Sequence, residues 1–264
     1  ALDQPVWVEG HSLAKIITDT SNQAQGDFMK LRTLAVLQLA ALCLALVSSA
    51  FAANNAYLYV VHGIPGRDIS DSLNPGLPVD ILVDGECAVR GLTFGNTNGP
   101  LTLPAGTYTV QVSLANTLAP CTNAAVVAAP VTLNGGSSTS VVAAISGGQP
   151  ALLQFADNLE AVTPGSARFV FVNSADAPEL QATLTQLYVK NPKPIIVTAN
   201  PGAQTLVNVP AGTYLLQVVA SGSTTVLASE DIGLPAQSAT FTYAAGEATN
   251  NSIGLINRTI KDVF

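Results

Sequence analysis

Basic residues are scarce in this chain: ten Lys and Arg stand against seventeen Asp and Glu, for a formal net charge of −7 at pH 7. A sequence pI near 4.6 leaves no basic footprint for a phosphate backbone or an anionic bilayer, which argues against nucleic acid and anionic membranes as partners. Charged residues make up only 10% of the sequence and hydrophobic ones 48%, the composition of a globular chain and not a disordered one. Two His, one Trp and three Cys supply few of the side chains from which metal clusters, acid–base pairs and sugar-stacking surfaces are built. The longest apolar run, residues 34–47, has about 14 residues where roughly 20 are needed to span a bilayer, and Gln38 interrupts it.

That run has the layout of an export signal instead. Met29, Lys30, Leu31 and Arg32 form a basic start, residues 34–47 the apolar core, and Ala50, Phe51 and Ala52 the small-x-small pattern that precedes cleavage. The cut is placed between Ala52 and Ala53. Residues 29–52 are then the signal peptide. Residues 1–28, with Trp7 and His11, read as a misassigned upstream segment without function. Cys43 is not read as a lipidation site, because Leu42 stands where a small residue is wanted. The mature chain has room for two domains of about 100 residues, 53–160 and 161–264.

Val, Thr and Gly richness favours short strands and tight turns over helices. Residues 101–112, LTLPAGTYTVQV, return at 207–218 as VNVPAGTYLLQV. Each copy reads as strand, turn and strand, a hairpin in which Pro104 or Pro210 sets φ and Gly106 or Gly212 supplies a positive φ. Around it, strands are expected at 56–62, 79–83, 89–94, 125–133, 138–145 and 151–155. Asp84-Gly85 signals a hairpin, and 157–165 a linker. AYLYVVH at 56–62 is apolar on both faces, which places it centrally or between layers. Loop 63–78 reads as too polar for core. ARFVFVN at 167–173 answers AYLYVVH at an offset of 111 against 106 for the PAGTY turns. The five-residue difference is assigned to loop 63–78, with Ile81 to Pro104 in gapless register with Leu187 to Pro210. Seven or so strands per unit predict an all-β chain: two tandem immunoglobulin-like antiparallel β-sandwiches after an N-terminal signal helix.

The order VVH, a polar Pro-containing loop, VDILVDG at 79–85 and LPAGTYTVQV at 103–112 resembles the bacterial domain of unknown function family numbered 4397, in two tandem copies. The linker 157–165 followed by ARFVFV is similar to that family's junction. The second unit departs from the pattern, with Asn173 in place of His62 and Lys190-Asn191 in place of Asp84-Gly85. The resemblance implies fold and export, and no activity.

Candidate chemistry is thin. Cys87 and Cys121 form an even pair in an exported chain, which favours a disulfide; closing a loop of about 33 residues stabilises by roughly 3–4 kcal/mol. The spacing is not that of a metal or redox pair. His62 is the single mature-chain His, with Asp68, Ser70, Asp71 and Ser72 nearby, yet no nucleophile elbow accompanies them, and a strand-end His bonded to backbone explains it. Asp68, Asp71, Asp80 and Asp84 match no calcium-loop spacing. Tyr108 and Tyr214, just past each turn, read as buried rings with hydroxyls bonded to nearby backbone, like a tyrosine corner, in preference to sugar platforms.

The residues therefore assign no catalytic site, no metal and no cofactor, and the chain is not read as an enzyme. They point to an exported structural or interaction protein of the bacterial envelope or surface, in periplasm, on the surface or in the medium, with envelope proteins or glycans as partners. A second reading is a glycan- or peptide-binding module that uses first-domain loops, with His62, Arg67, Asp68 and Asp71 as its candidate residues. A hydrolase ranks last.

Overall fold

The structure, a computed structural model, describes residues 54–70 and 73–262. The segments 1–28 and 29–52, the Ala52/Ala53 cut and Asp71 lie outside the described residues. Short β-branched and aromatic runs between Gly, Pro and Asp turns form strands throughout. The first sandwich contains β1 (Asn55–His62), a single-turn helix α1 (Gly66–Ile69), β2 (Val79–Val83), β3 (Glu86–Leu92), β4 (Thr97–Pro104), β5 (Gly106–Leu114), β6 (Ala125–Leu133), β7 (Ser138–Ser146) and β8 (Gln149–Asp157). The second contains β9 (Ser166–Asn173), β10 (Leu180–Gln186), β11 (Ile195–Ala199), β12 (Gln204–Pro210), β13 (Gly212–Ala220), β14 (Val226–Leu234), β15 (Ser238–Ala245) and β16 (Gly254–Lys261). No helix among the described residues is long and apolar enough to cross a membrane.

The two halves share one topology. Sheet order β3-β2-β5-β6 is matched by β11-β10-β13-β14, and β4-β1-β7-β8 by β12-β9-β15-β16. Each sandwich thus has eight strands, one more than the strand count expected from spacing. All pairs are antiparallel except β1 with β7 and β9 with β15.

The PAGTY motif is not a hairpin. Pro104 closes β4 opposite Asn55 of β1, while Gly106 opens β5 opposite Leu133 of β6, so the chain passes there from one sheet to the other. Neither Gly106 nor Gly212 has a positive φ. A Cβ would lie 3.6 Å from the Tyr108 ring at Gly106 and 2.8 Å from Gln186 Nε2 at Gly212, so each glycine sits beside a neighbouring side chain and neither makes a left-handed turn. The Tyr108 hydroxyl donates to the Pro104 carbonyl at 2.8 Å, and Tyr214 to Pro210 at 2.6 Å. Tyr214 is the more deeply buried, 1% exposed, and burial pushes its phenol up. Tyr214→Phe is expected to cost about 1 kcal/mol in urea unfolding, and Tyr108→Phe, half-buried, clearly less; equal losses would contradict this account.

Period-2 alternation decides where the core lies. In β1, Ala56, Leu58 and Val60 face the first sandwich's own core, while Val61 faces the other way; in β9, Ala167, Phe169 and Phe171 face the second core, and Val170 and Val172 point out of it. The outward residues of β1, β7, β8, β9, β15 and β16 meet in a third apolar cluster. The two inner sheets therefore pack face to face, and the layers stack four deep, which is why every residue of β15 is buried. Inside this joint, Arg258 of β16 pairs with Asp157 of β8 at 2.9 Å, with their side chains 6% and 0% exposed. Ser138 and Ser140 donate to the same carboxylate at 2.7 Å each.

The register between the halves also differs from the gapless expectation. Ile81 faces Val112, and Ala182 faces Val218. β2 and β10 therefore stand at an offset of 101, against 111 for His62 and Asn173. The first half has a longer β1–β2 connection by ten residues, and the second half recovers five in a longer β10–β11 turn. The gapless alignment of Ile81 with Leu187 is therefore off by five residues, an odd shift that would exchange the two faces of the strand, and Leu187 lies in the turn after β10 while Ala182 takes the core position.

Candidate functional site

The extra residues of the β1–β2 connection build a loop at one end of the first sandwich that its counterpart lacks. The loop is not excluded from the core, since Ile64 and Leu77 are 4% and 6% exposed. Chain reversal after α1 brings Asn74 so near that a Cβ at Gly66 would sit 1.9 Å from its carbonyl oxygen, so only glycine fits. Ile64, Leu73 and Leu77 from the loop face Val112 and Leu114 of β5 and Val126 of β6 across an open cavity of about 260 Å³. Among the described residues, Asp68 is the single charged one that lines it. Sequence reasoning missed these apolar residues. The available signal was the spacing of Ile64, Ile69, Leu73 and Leu77 within a loop read by its polar members.

His62 ends β1 beneath this loop and is fully buried. The Ile64 N–H approaches Nδ1 at 3.3 Å and the Leu77 carbonyl lies 2.7 Å from Nε2, so Nε2 carries the proton and donates it. Burial pulls its pKa below 6.5, opposed in part by the bond to Leu77. Asn173 serves the equivalent place in the second sandwich, its amide donating to Pro178 and Ala199 carbonyls at 3.0 and 3.1 Å. Because the native state resists protonating His62 while the unfolded chain titrates normally, its contribution to stability is full above pH 6.5 and declines as pH falls below it. His62→Asn is expected to flatten that decline in denaturant midpoints between about pH 6.5 and 5; an unaltered slope would assign the pH dependence elsewhere.

The acidic candidates are not brought together. Asp80, 1% exposed, accepts the N–H groups of Cys121 at 2.7 Å, Gly91 at 2.8 Å and Asn116 at 3.3 Å. Burial alone would raise its carboxyl, but those bonds and Arg90 hold it below 3.8. Asp84 accepts from the Thr109 N–H at 2.6 Å. The predicted Asp84-Gly85 hairpin joins β2 to β3, both residues with positive φ. Asp68 accepts from Ser252 Oγ at 2.6 Å, and the exposed Arg67 reaches the Asn251 carbonyl at 3.5 Å, so both engage the β15–β16 loop. Among the described residues, no group of three or more His, Cys, Asp or Glu side chains is placed to hold a metal ion. Cys87 of β3 and Cys121 of the loop after β5 form a disulfide of 2.07 Å, beside the Asp80 bonds to the same loop.

Residues 56–183 match the model of the family described as Domain of unknown function (DUF4397). The chain carries this domain. The DUF4397 match spans the whole first sandwich and continues through β9 into β10. No curated protein matches the chain. Among solved structures, it is similar to a candidate cell adhesion protein from Bacteroides ovatus ATCC 8483, with 10% identity and a TM-score of 0.29 over 80% of this chain and 98% of that one. A candidate cell adhesion protein from Bacteroides uniformis ATCC 8492 has 10% identity and a TM-score of 0.28 over 80% and 99%. The Bacillus anthracis TIE protein has 12% identity and a TM-score of 0.22 over 73% and 33%. At these TM-scores, the likeness carries no argument about what this chain does.

Proposed function

We propose that this protein is an exported, non-enzymatic interaction module of a bacterial envelope or surface, with 161–264 as a second copy of the first domain's fold. The observation that supports this best is where the polar side chains are committed. His62, Asp80, Asp157 and Arg258 are all buried and hydrogen-bonded within the fold, so the groups that acid–base chemistry would need hold strands and loops in place. The disulfide and the signal pattern at 29–52 both support export.

Expression from Met29 in a bacterial host is expected to place the product in the exported fraction, with a mass that corresponds to cleavage after Ala52 and an oxidised Cys87–Cys121 pair. Retention of Met29 would overturn export. Saturable binding to purified envelope proteins or cell-wall glycans, without turnover of any of them, is expected of the mature chain; hydrolysis that disappears in His62→Ala would overturn the non-enzymatic reading. The second reading, a peptide- or glycan-binding module, is favoured by the cavity beside α1. Its apolar lining fits peptide side chains better than sugar.

A further inference from the structure

Resting on that interaction reading, we propose that the cavity beside α1 takes an extended segment of a partner protein that carries an aliphatic side chain next to a Lys or Arg. The size is right for this occupant: about 260 Å³ falls below the roughly 300–1,000 Å³ of sites for drug-sized ligands and suits one or two aliphatic side chains. The mouth is itself apolar and open, with Ile69, Leu114 and Val126 exposed by 44%, 40% and 51%. Its rim is acidic. Asp68 lines the cavity, and Asp176 accepts the N–H of Gly148, a residue that also lines it, at 2.7 Å. Glu247 completes the group: burial, then Asp68 and Asp176, raise its carboxyl above 4.5 against the bond from Asn250. Arg67 is spent on the Asn251 carbonyl, and among the described residues no Lys or Arg pairs with any of the three carboxylates. A cation beside the inserted aliphatic group therefore meets negative charge that the chain does not neutralise itself.

The neighbouring strand favours a peptide as the occupant over a lipid. β6 is a sheet edge and has no charged side chain. Pro130 interrupts it, and Gln154 covers Thr132 by bonding both its N–H and its carbonyl, at 3.4 and 2.8 Å. Among the described residues, no side chain covers residues 125–129, the part next to the cavity, in this way, and their outward backbone groups suit an extended chain.

The test titrates three blocked hexapeptides, acetyl-TVLKVT-amide, acetyl-TVLEVT-amide and acetyl-TVDKVT-amide, into the oxidised chain by calorimetry. TVLKVT is expected to saturate, with TVDKVT at least about tenfold weaker and TVLEVT several-fold weaker at low salt, a gap that closes as salt is added. Val126→Arg, at an exposed position, is expected to abolish binding without lowering Tm. Equal binding of the three peptides, no saturation by about 1 mM, undiminished binding by Val126→Arg, or saturation by dodecylamine where TVLKVT fails would each overturn the proposal. Envelope binding that survives in Val126→Arg would sink this site alone and leave the interaction reading standing. TVLKVT binding by a chain that binds no envelope component would support the site and sink that reading.

Discussion

Arg258→Ala is expected to destabilise the protein by about 3–5 kcal/mol, the range for breaking a buried ion pair from one side. Its guanidinium joins β16 of the second sandwich to Asp157 of β8 in the first, and also donates to Ser140 Oγ at 2.8 Å and to Tyr243 Oη at 3.1 Å. Tyr59 and Phe241 cover it from ring centroids 3.9 and 4.4 Å away, which compensates for the Nε and Nη1 atoms that have no hydrogen-bond partner among the described residues. Truncation would strand the Asp157 carboxylate in the joint with only two serine donors. Urea unfolding with separate probes in the two sandwiches should show the loss, and with it a decoupling of the two transitions, because the joint is what makes them one body. A loss under about 1 kcal/mol would mean that the pair does little beyond the apolar packing around it.

Replacing Cys87 and Cys121 together by Ser is expected to cost about 3–4 kcal/mol, through the unfolded chain's regained freedom over a 34-residue separation. The native loop should nevertheless stay in place at neutral pH, because Asp80 accepts the Cys121 and Asn116 N–H groups independently of the sulfurs. Asp80's folded pKa lies below 3.8, so its contribution is present above that value and is lost as pH falls through the folded pKa. The double Ser variant should therefore show steeper loss of loop protection in hydrogen exchange under strong acid than the oxidised chain. A variant as stable as the oxidised protein in urea would refute the constraint argument.

Much of the fold was legible because its signals are local. Asp84-Gly85 announces its hairpin, and the apolar pairs along β1 and β9 announce strands buried on both faces. Cys87 and Cys121, an even pair in an exported chain, point to each other. The PAGTY motif misled because a Gly before a Tyr-bearing strand looks the same whether the chain turns back within one sheet or crosses to the next. Loop 63–78 misled because its polar tip, Arg67 and Asp68, outweighed four aliphatic residues whose destination depended on β5 and β6. The cavity was illegible for that reason: its walls come from segments as far apart in sequence as Ile64 and Pro150.

The sequence by itself determined an all-β chain, its internal repeat, its disulfide and the strands that needed cover on both faces, since each follows from alternation, turn chemistry or residue pairing along the chain. Only the tertiary structure decided what supplied that cover. Alternation says that Val61, Val170 and Phe241 must be buried, but not against which sheet. That choice is made by packing between residues more than a hundred positions apart, where Tyr59, Ser140 and Asp157 close around Arg258.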